Sequence, residues 1–139
     1  MDYKKMAEEF LMIRAEQLKV PANQQISKIV KGELFVLNYL ATHHNSVYPK
    51  VLSREMVVST ARIAVILNQM EDKKWIIRKN DPEDNRQILV SLTEKGWEII
   101  EQQRVEIIRT VAQMLEKLGP EDAEEFLRIQ RRIVEDVIN

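Results

Sequence analysis

The chain has 139 residues, of which 45% are hydrophobic, 31% charged and 6% aromatic, with a formal net charge of −1 and no cysteine. That length and apolar content suit one subunit with its own core, and the composition leans towards a mainly helical soluble protein. Disulfides and thiolate metal sites are excluded, three scattered glycines cannot build a phosphate loop, and no apolar run approaches a membrane span.

Residues 2–18 place Tyr3, Met6, Phe10, Ile13 and Leu18 at roughly helical spacing, which predicts an amphipathic helix. Pro21 is expected to end it, and the polar stretch 22–28 reads as a loop or frayed end. A second helix from Glu33 to about His43 buries Leu34, Leu37, Leu40 and Ala41, and a short one follows Pro49. Ser59 and Thr60 offer capping hydroxyls before a helix whose core stripe is Ile63, Ile66, Leu67 and Met70. Residues 75–79 and the alternating Ile88, Val90 and Leu92 predict two strands joined through Asp81-Pro82-Glu83-Asp84-Asn85, a hairpin. Thr93 then caps a helix running to about Leu118, approaching ~40 Å at ~1.5 Å per residue, longer than a small core needs. Gly119-Pro120 breaks it, and a last amphipathic helix follows.

This order is that of a mainly α protein with a small β-hairpin wing, a winged helix-turn-helix carrying long flanking helices. With the stripe fixed inward, a 100° step per residue turns Ala61, Val65 and Asn68 outward, flanked by Arg62 and Gln69. In a DNA major groove Ala61 and Val65 would meet thymine methyls, Asn68 an adenine edge, and Arg62 a phosphate or guanine. Ser59 and Thr60 read as caps with phosphate contact as a second role. Lys50 and Arg54, one helical turn apart, could both address the DNA backbone. Lys73, Lys74, Arg78 and Lys79 read as surface charges. Asp84 and Arg86, two apart, project to one side of an extended chain and can pair. Spacing alone leaves two readings open. One is a braced arginine for a narrow minor groove; the other is a solvated turn whose three carboxylates repel phosphate.

The pattern Asp84-x-Arg86-x-x-x-Val90-x-Leu92-Thr93-x-x-Gly96 resembles the wing motif of the MarR family of bacterial transcriptional regulators. The likeness covers about residues 33–100. It implies that Arg86 is the minor-groove arginine, that Asp84 holds it, and that Thr93 and Gly96 start a dimerisation helix. It further implies a small aromatic or phenolic ligand in a cleft between the long helices and the winged lobe. The chain departs from the family at Lys74, where a glycine is usual.

The expected division is a winged DNA-binding lobe over 31–96 and a helical dimerisation region over 1–30 and 97–139. Apolar residues Ile100, Val105, Ile108, Val111, Leu115 and Leu118 exceed what the hairpin module can cover. Packing of the two last helices on each other takes part of that surface, and Arg104, which interrupts it, is expected to pair with a carboxylate. The partners expected are therefore double-stranded DNA and a second copy, with no membrane, no cofactor and no metal. Adjacent His43 and His44 face apart, and no nucleophile or acid–base pair indicates an enzyme. The start, Met1-Asp2-Tyr3-Lys4-Lys5, lacks an apolar leader, which makes the cytoplasm the expected location. The near-zero charge averages unlike parts, since residues 47–96 hold nine basic and seven acidic side chains and 97–139 hold six and ten. The leading function is thus a homodimeric repressor on a palindromic operator. The alternative is a winged-helix interaction or scaffold dimer with weak or no DNA binding, motivated by the acidic wing tip and the aliphatic outward helix face.

Overall fold

The stripe Ile63, Ile66, Leu67 and Met70 is buried as its spacing requires, and it organises the rest of the computed structural model, which describes residues 1–138. The elements are α1 (Tyr3–Gln17), α2 (Pro21–Ile29), α3 (Gly32–Thr42), α4 (Pro49–Met56), α5 (Thr60–Asp72), β1 (Ile76–Asn80), β2 (Ile88–Leu92), α6 (Glu94–Leu118) and α7 (Pro120–Ile133). A π-helical turn over Val134–Ile138 follows. The α5 stripe shares one core with Val36, Leu37 and Leu40 of α3, Leu52 of α4, and Ile76 and Val90 of the hairpin. Each such aliphatic side chain contributes roughly 1.5–3 kcal/mol by leaving water. The fold is accordingly mainly helical, with one antiparallel hairpin in the register Ile76↔Leu92, Arg78↔Val90 and Asn80↔Ile88.

Three local expectations are corrected. Residues 22–28 are neither loop nor frayed end but lie in α2: Pro21 stops α1 and also opens α2 at its first turn, where no N–H is needed. Ala22 of α2 is buried, Asn23 and Gln25 are half-buried, and Gln24 and Ser27 are exposed. A third, one-residue strand was not anticipated: Val47 N–H donates to Val90 O at 3.1 Å and Val90 N–H to Val47 O at 2.9 Å. Of the caps, Ser59 accepts from Arg62 N–H at 3.1 Å, whereas Thr60 is the first helical residue. Arg104 pairs with an amide, not a carboxylate, its Nη1 donating to Asn38 Oδ1 at 2.5 Å.

The turn after α5 joins three elements. Lys74 lies at φ +65°, where its Cβ is strained, which accounts for the glycine usual there. Lys74 N–H donates to Glu71 O at 2.9 Å and Trp75 N–H to Met70 O at 3.0 Å, closing the helix end. Thr93 Oγ1 donates to Lys74 O at 2.6 Å and accepts from Gly96 N–H at 3.0 Å, so one hydroxyl caps α6 and holds the turn. Gly96 is required by space, because a Cβ there would stand 2.1 Å from Trp75 O.

Opposite stability changes follow at this joint. Gly96→Ala should lower the urea midpoint by an amount equivalent to about 1–3 kcal/mol, the usual scale for overpacking. Lys74→Gly should raise it, by roughly 0.5–1 kcal/mol once the greater freedom of unfolded glycine is subtracted. A neutral Gly96→Ala would remove the close approach from the account.

Candidate nucleic-acid interface

The face of α5 opposite its stripe is solvent-facing: Ala61, Arg62, Val65, Asn68 and Gln69 are all exposed. Ser59 caps the helix, so the amides at its start are held in order close to where Arg62 emerges. On α4, Lys50 and Arg54 are both exposed; Arg54 lies 3.8 Å from Glu55, a loose contact in water that leaves it available. The turn between α4 and α5 is made by Val57 at φ +56°, an uncommon conformation for a β-branched residue.

The wing loop, residues 81–87, is braced from within. Asp81 is buried and accepts from the Tyr48 hydroxyl and from Glu83 N–H, the latter at 2.9 Å. That hydrogen bond to a carboxylate pushes the Tyr48 phenol above its ordinary pKa. Asp84 accepts from Arg86 Nε and from Arg86 N–H, both at 3.2 Å, and from Gln87 Nε2 at 3.2 Å. The Arg86 side chain is nonetheless 91% exposed, so Asp84 orients it without covering it. Of the three carboxylates expected at the tip, Asp81 is a buried structural group and Asp84 is committed to Arg86. Glu83 alone is exposed.

Two of the cations read as surface charges have partners: Lys73 stays exposed, whereas Arg78 is half-buried. Lys73 Nζ donates to Glu33 Oε1 at 2.8 Å and sits 4.5 Å over the Trp75 ring. Arg78 reaches back from β1 to α5, donating through Nε to Glu71 Oε2 at 3.0 Å and through Nη2 to Glu71 Oε1 at 3.2 Å and Asn68 Oδ1 at 2.8 Å. The hydrogen bonds from Arg78 hold the Glu71 carboxyl below its usual range, and Glu71 pushes Arg78 upward. The hint in the sequence was the i, i+3 pair of Asn68 and Glu71 ending the helix, with a basic residue on the next strand.

The long helices carry the largest unpartnered apolar surface. Among the described residues α1 and α7 bury no side chain. Tyr3, Phe10 and Leu11 of α1, Ile108 of α6 and Leu127 and Ile133 of α7 stand exposed. No helix is long and apolar enough to cross a membrane, and no cluster of three metal-ligating side chains occurs among the described residues.

A helix-turn-helix followed by a braced wing with an outward arginine defines a winged-helix regulator. The family model described as "Transcriptional regulator SarA/Rot" matches residues 21–103, and the chain belongs to this family. Its fold is that of solved MarR family proteins, as its wing motif implied. The chain is 30% identical over 107 residues to the uncharacterized HTH-type transcriptional regulator YdgJ of Bacillus subtilis, a match covering 77% of this chain and 63% of that relative. It is similar in structure to a MarR family protein from Bacillus stearothermophilus (TM-score 0.78, 22% identity, 100% of this chain and 99% of the other). It is similar also to the YusO protein of Bacillus subtilis (TM-score 0.68, 22% identity, 97% and 98%).

The hydrogen bond from Arg86, followed by that from Gln87, lowers the Asp84 pKa. A depressed carboxyl contributes order above its unfolded pKa, and loses it as pH falls through the folded value. Carbon-detected NMR titration should therefore place the Asp84 midpoint below that of an ordinary aspartate, and Arg86→Ala should move it upward. An unshifted midpoint in both proteins would remove the brace.

Proposed function

We propose that this chain is a homodimeric transcriptional repressor that binds a palindromic operator. The observation that carries this reading is Arg86: a guanidinium 91% exposed on a loop braced by Asp81 and Asp84, with Asp84 holding its Nε. Such preorganisation suits entry into a narrow, electronegative minor groove, and Asp84 is the residue that sets its direction. The outward face of α5, with Ala61, Arg62, Val65 and Asn68, is then the major-groove reader, and Ser59, Thr60, Lys50 and Arg54 address the backbone. Residues 31–96 form the DNA-binding lobe. Residues 1–30 and 97–139 form the dimer, which covers the exposed apolar faces of α1 and α7 and spaces two reading helices by about one turn of DNA, ~34 Å.

A cleft of about 580 Å³ is lined by Lys28, Lys31, Glu33, Leu34, Trp75, Ile99 and Gln103, between the start of α6 and the winged lobe. A flat aromatic anion would find an indole and two ammonium groups there. Because Trp75 belongs to the joint that holds α5 to α6, such a ligand would act on the reading helix directly.

Fluorescence anisotropy on duplexes drawn from a random pool, at ~50 and ~200 mM salt, tests the reading. Binding should fall steeply with salt. Arg86→Ala should weaken it more than tenfold while sedimentation still shows a dimer at micromolar protein, and Arg62→Ala should weaken it through the other groove. Flat, weak, salt-insensitive binding would favour the interaction-module alternative, and a monomer would end the half-site geometry.

A further inference from the structure

Asn68 stands on the outward face of α5, where a free carboxamide would read adenine by giving one hydrogen bond and taking one. Its carboxamide is not free. Arg78 Nη2 donates to Asn68 Oδ1 at 2.8 Å, and among the described residues Nδ2 makes no hydrogen bond. Arginine has only donors, so the amide must turn its oxygen to the guanidinium and its NH₂ away. Arg78 cannot swing off easily, because Glu71 holds it by two further hydrogen bonds at 3.0 and 3.2 Å. Its backbone adds to this: Arg78 is paired with Val90 on the hairpin, and its side chain is largely covered. A hydrogen bond from a cation also weakens what remains of the oxygen's acceptor strength and polarises the N–H groups as donors.

We infer that Arg78 makes Asn68 a donor-only reader, so that it selects guanine, with its adjacent N7 and O6 acceptors, where an unclamped asparagine selects adenine. This rests on the DNA-binding reading above, but the clamp itself does not. Arg78 thereby acts as a positioning residue that sets base specificity without touching DNA, and Glu71 positions Arg78.

The clamp is tested without DNA by the side-chain amide resonances of Asn68, which should move in Arg78→Met. Unchanged resonances overturn the clamp whatever the protein binds. Specificity is tested by selecting bound duplexes from a random pool with the native chain, Asn68→Ala, Asn68→Asp and Arg78→Met. The native protein should enrich guanine at one step of each half-site, with adenine there about tenfold weaker, and Asn68→Ala should lose that step alone. Asn68→Asp keeps an oxygen towards Arg78 but turns an acceptor outward, so the step should change to cytosine, whose N4 donates. Arg78→Met should change it to adenine. Adenine at that step in the native protein, or guanine retained in both Asn68→Asp and Arg78→Met, overturns the inference. If Arg78→Met does not fold by thermal melting, the two Asn68 variants decide, since that side chain is exposed and aspartate has its shape. No enriched sequence in the native protein would overturn the regulator reading and the base assignment together, while the amide resonances would still report on the clamp.

Discussion

The position of α5 depends on the joint formed by Lys74, Trp75, Thr93 and Gly96. There the backbone leaves α5 through a left-handed residue, passes its Trp75 carbonyl against a glycine on α6, and is tied by one threonine hydroxyl. Three elements meet within a few residues, and there is no room for them to slide independently. Any movement of α6 against the winged lobe must therefore reach α5 and β1. Close packing of this kind passes small displacements on, because packed contacts shift between discrete arrangements and do not deform smoothly.

The electrostatics follow the same economy. The winged segment has little excess positive charge, and two of its cations are paired within the protein: Lys73 with Glu33 and Trp75, Arg78 with Glu71 and Asn68. What is left for a polyanion is a few exposed basic groups, with Arg86 the most firmly aimed. On the proposed function, affinity would rest on placement more than on a broad field. The acidic surplus sits in residues 97–139, in the helices proposed to form the dimer.

The parts legible in the sequence were those set by local periodicity and local chemistry. The α5 stripe followed from a 3.6-residue repeat and the hairpin from alternation; the Asp84–Arg86 pair was expected on an extended chain but forms in a turn, where Gln87 N–H donates to Asp84 O at 2.9 Å. The parts that were not legible depend on contacts between distant segments. Polar side chains hid α2, whose burial lies in Ala22 against other helices. Asp81 read as a repelling tip charge because its partner, Tyr48, is 33 residues away in the chain. Arg78 read as a surface charge because its two partners lie on a preceding helix, and Val47 could not announce a one-residue strand. Asn68 was correctly placed on the outward face, but the state of its amide depends on a residue ten positions further on.

The central claim is that two copies present a paired set of α5 helices and Arg86 wings to one duplex. Hydroxyl-radical footprinting on a bound duplex tests it most directly, because the radical cleaves from the minor groove that the wings would enter. The account predicts two protected patches related by two-fold symmetry, about ten base pairs between half-site centres, with the outer minor-groove protection lost in Arg86→Ala. A single asymmetric patch, or protection that is the same in Arg86→Ala, would contradict it.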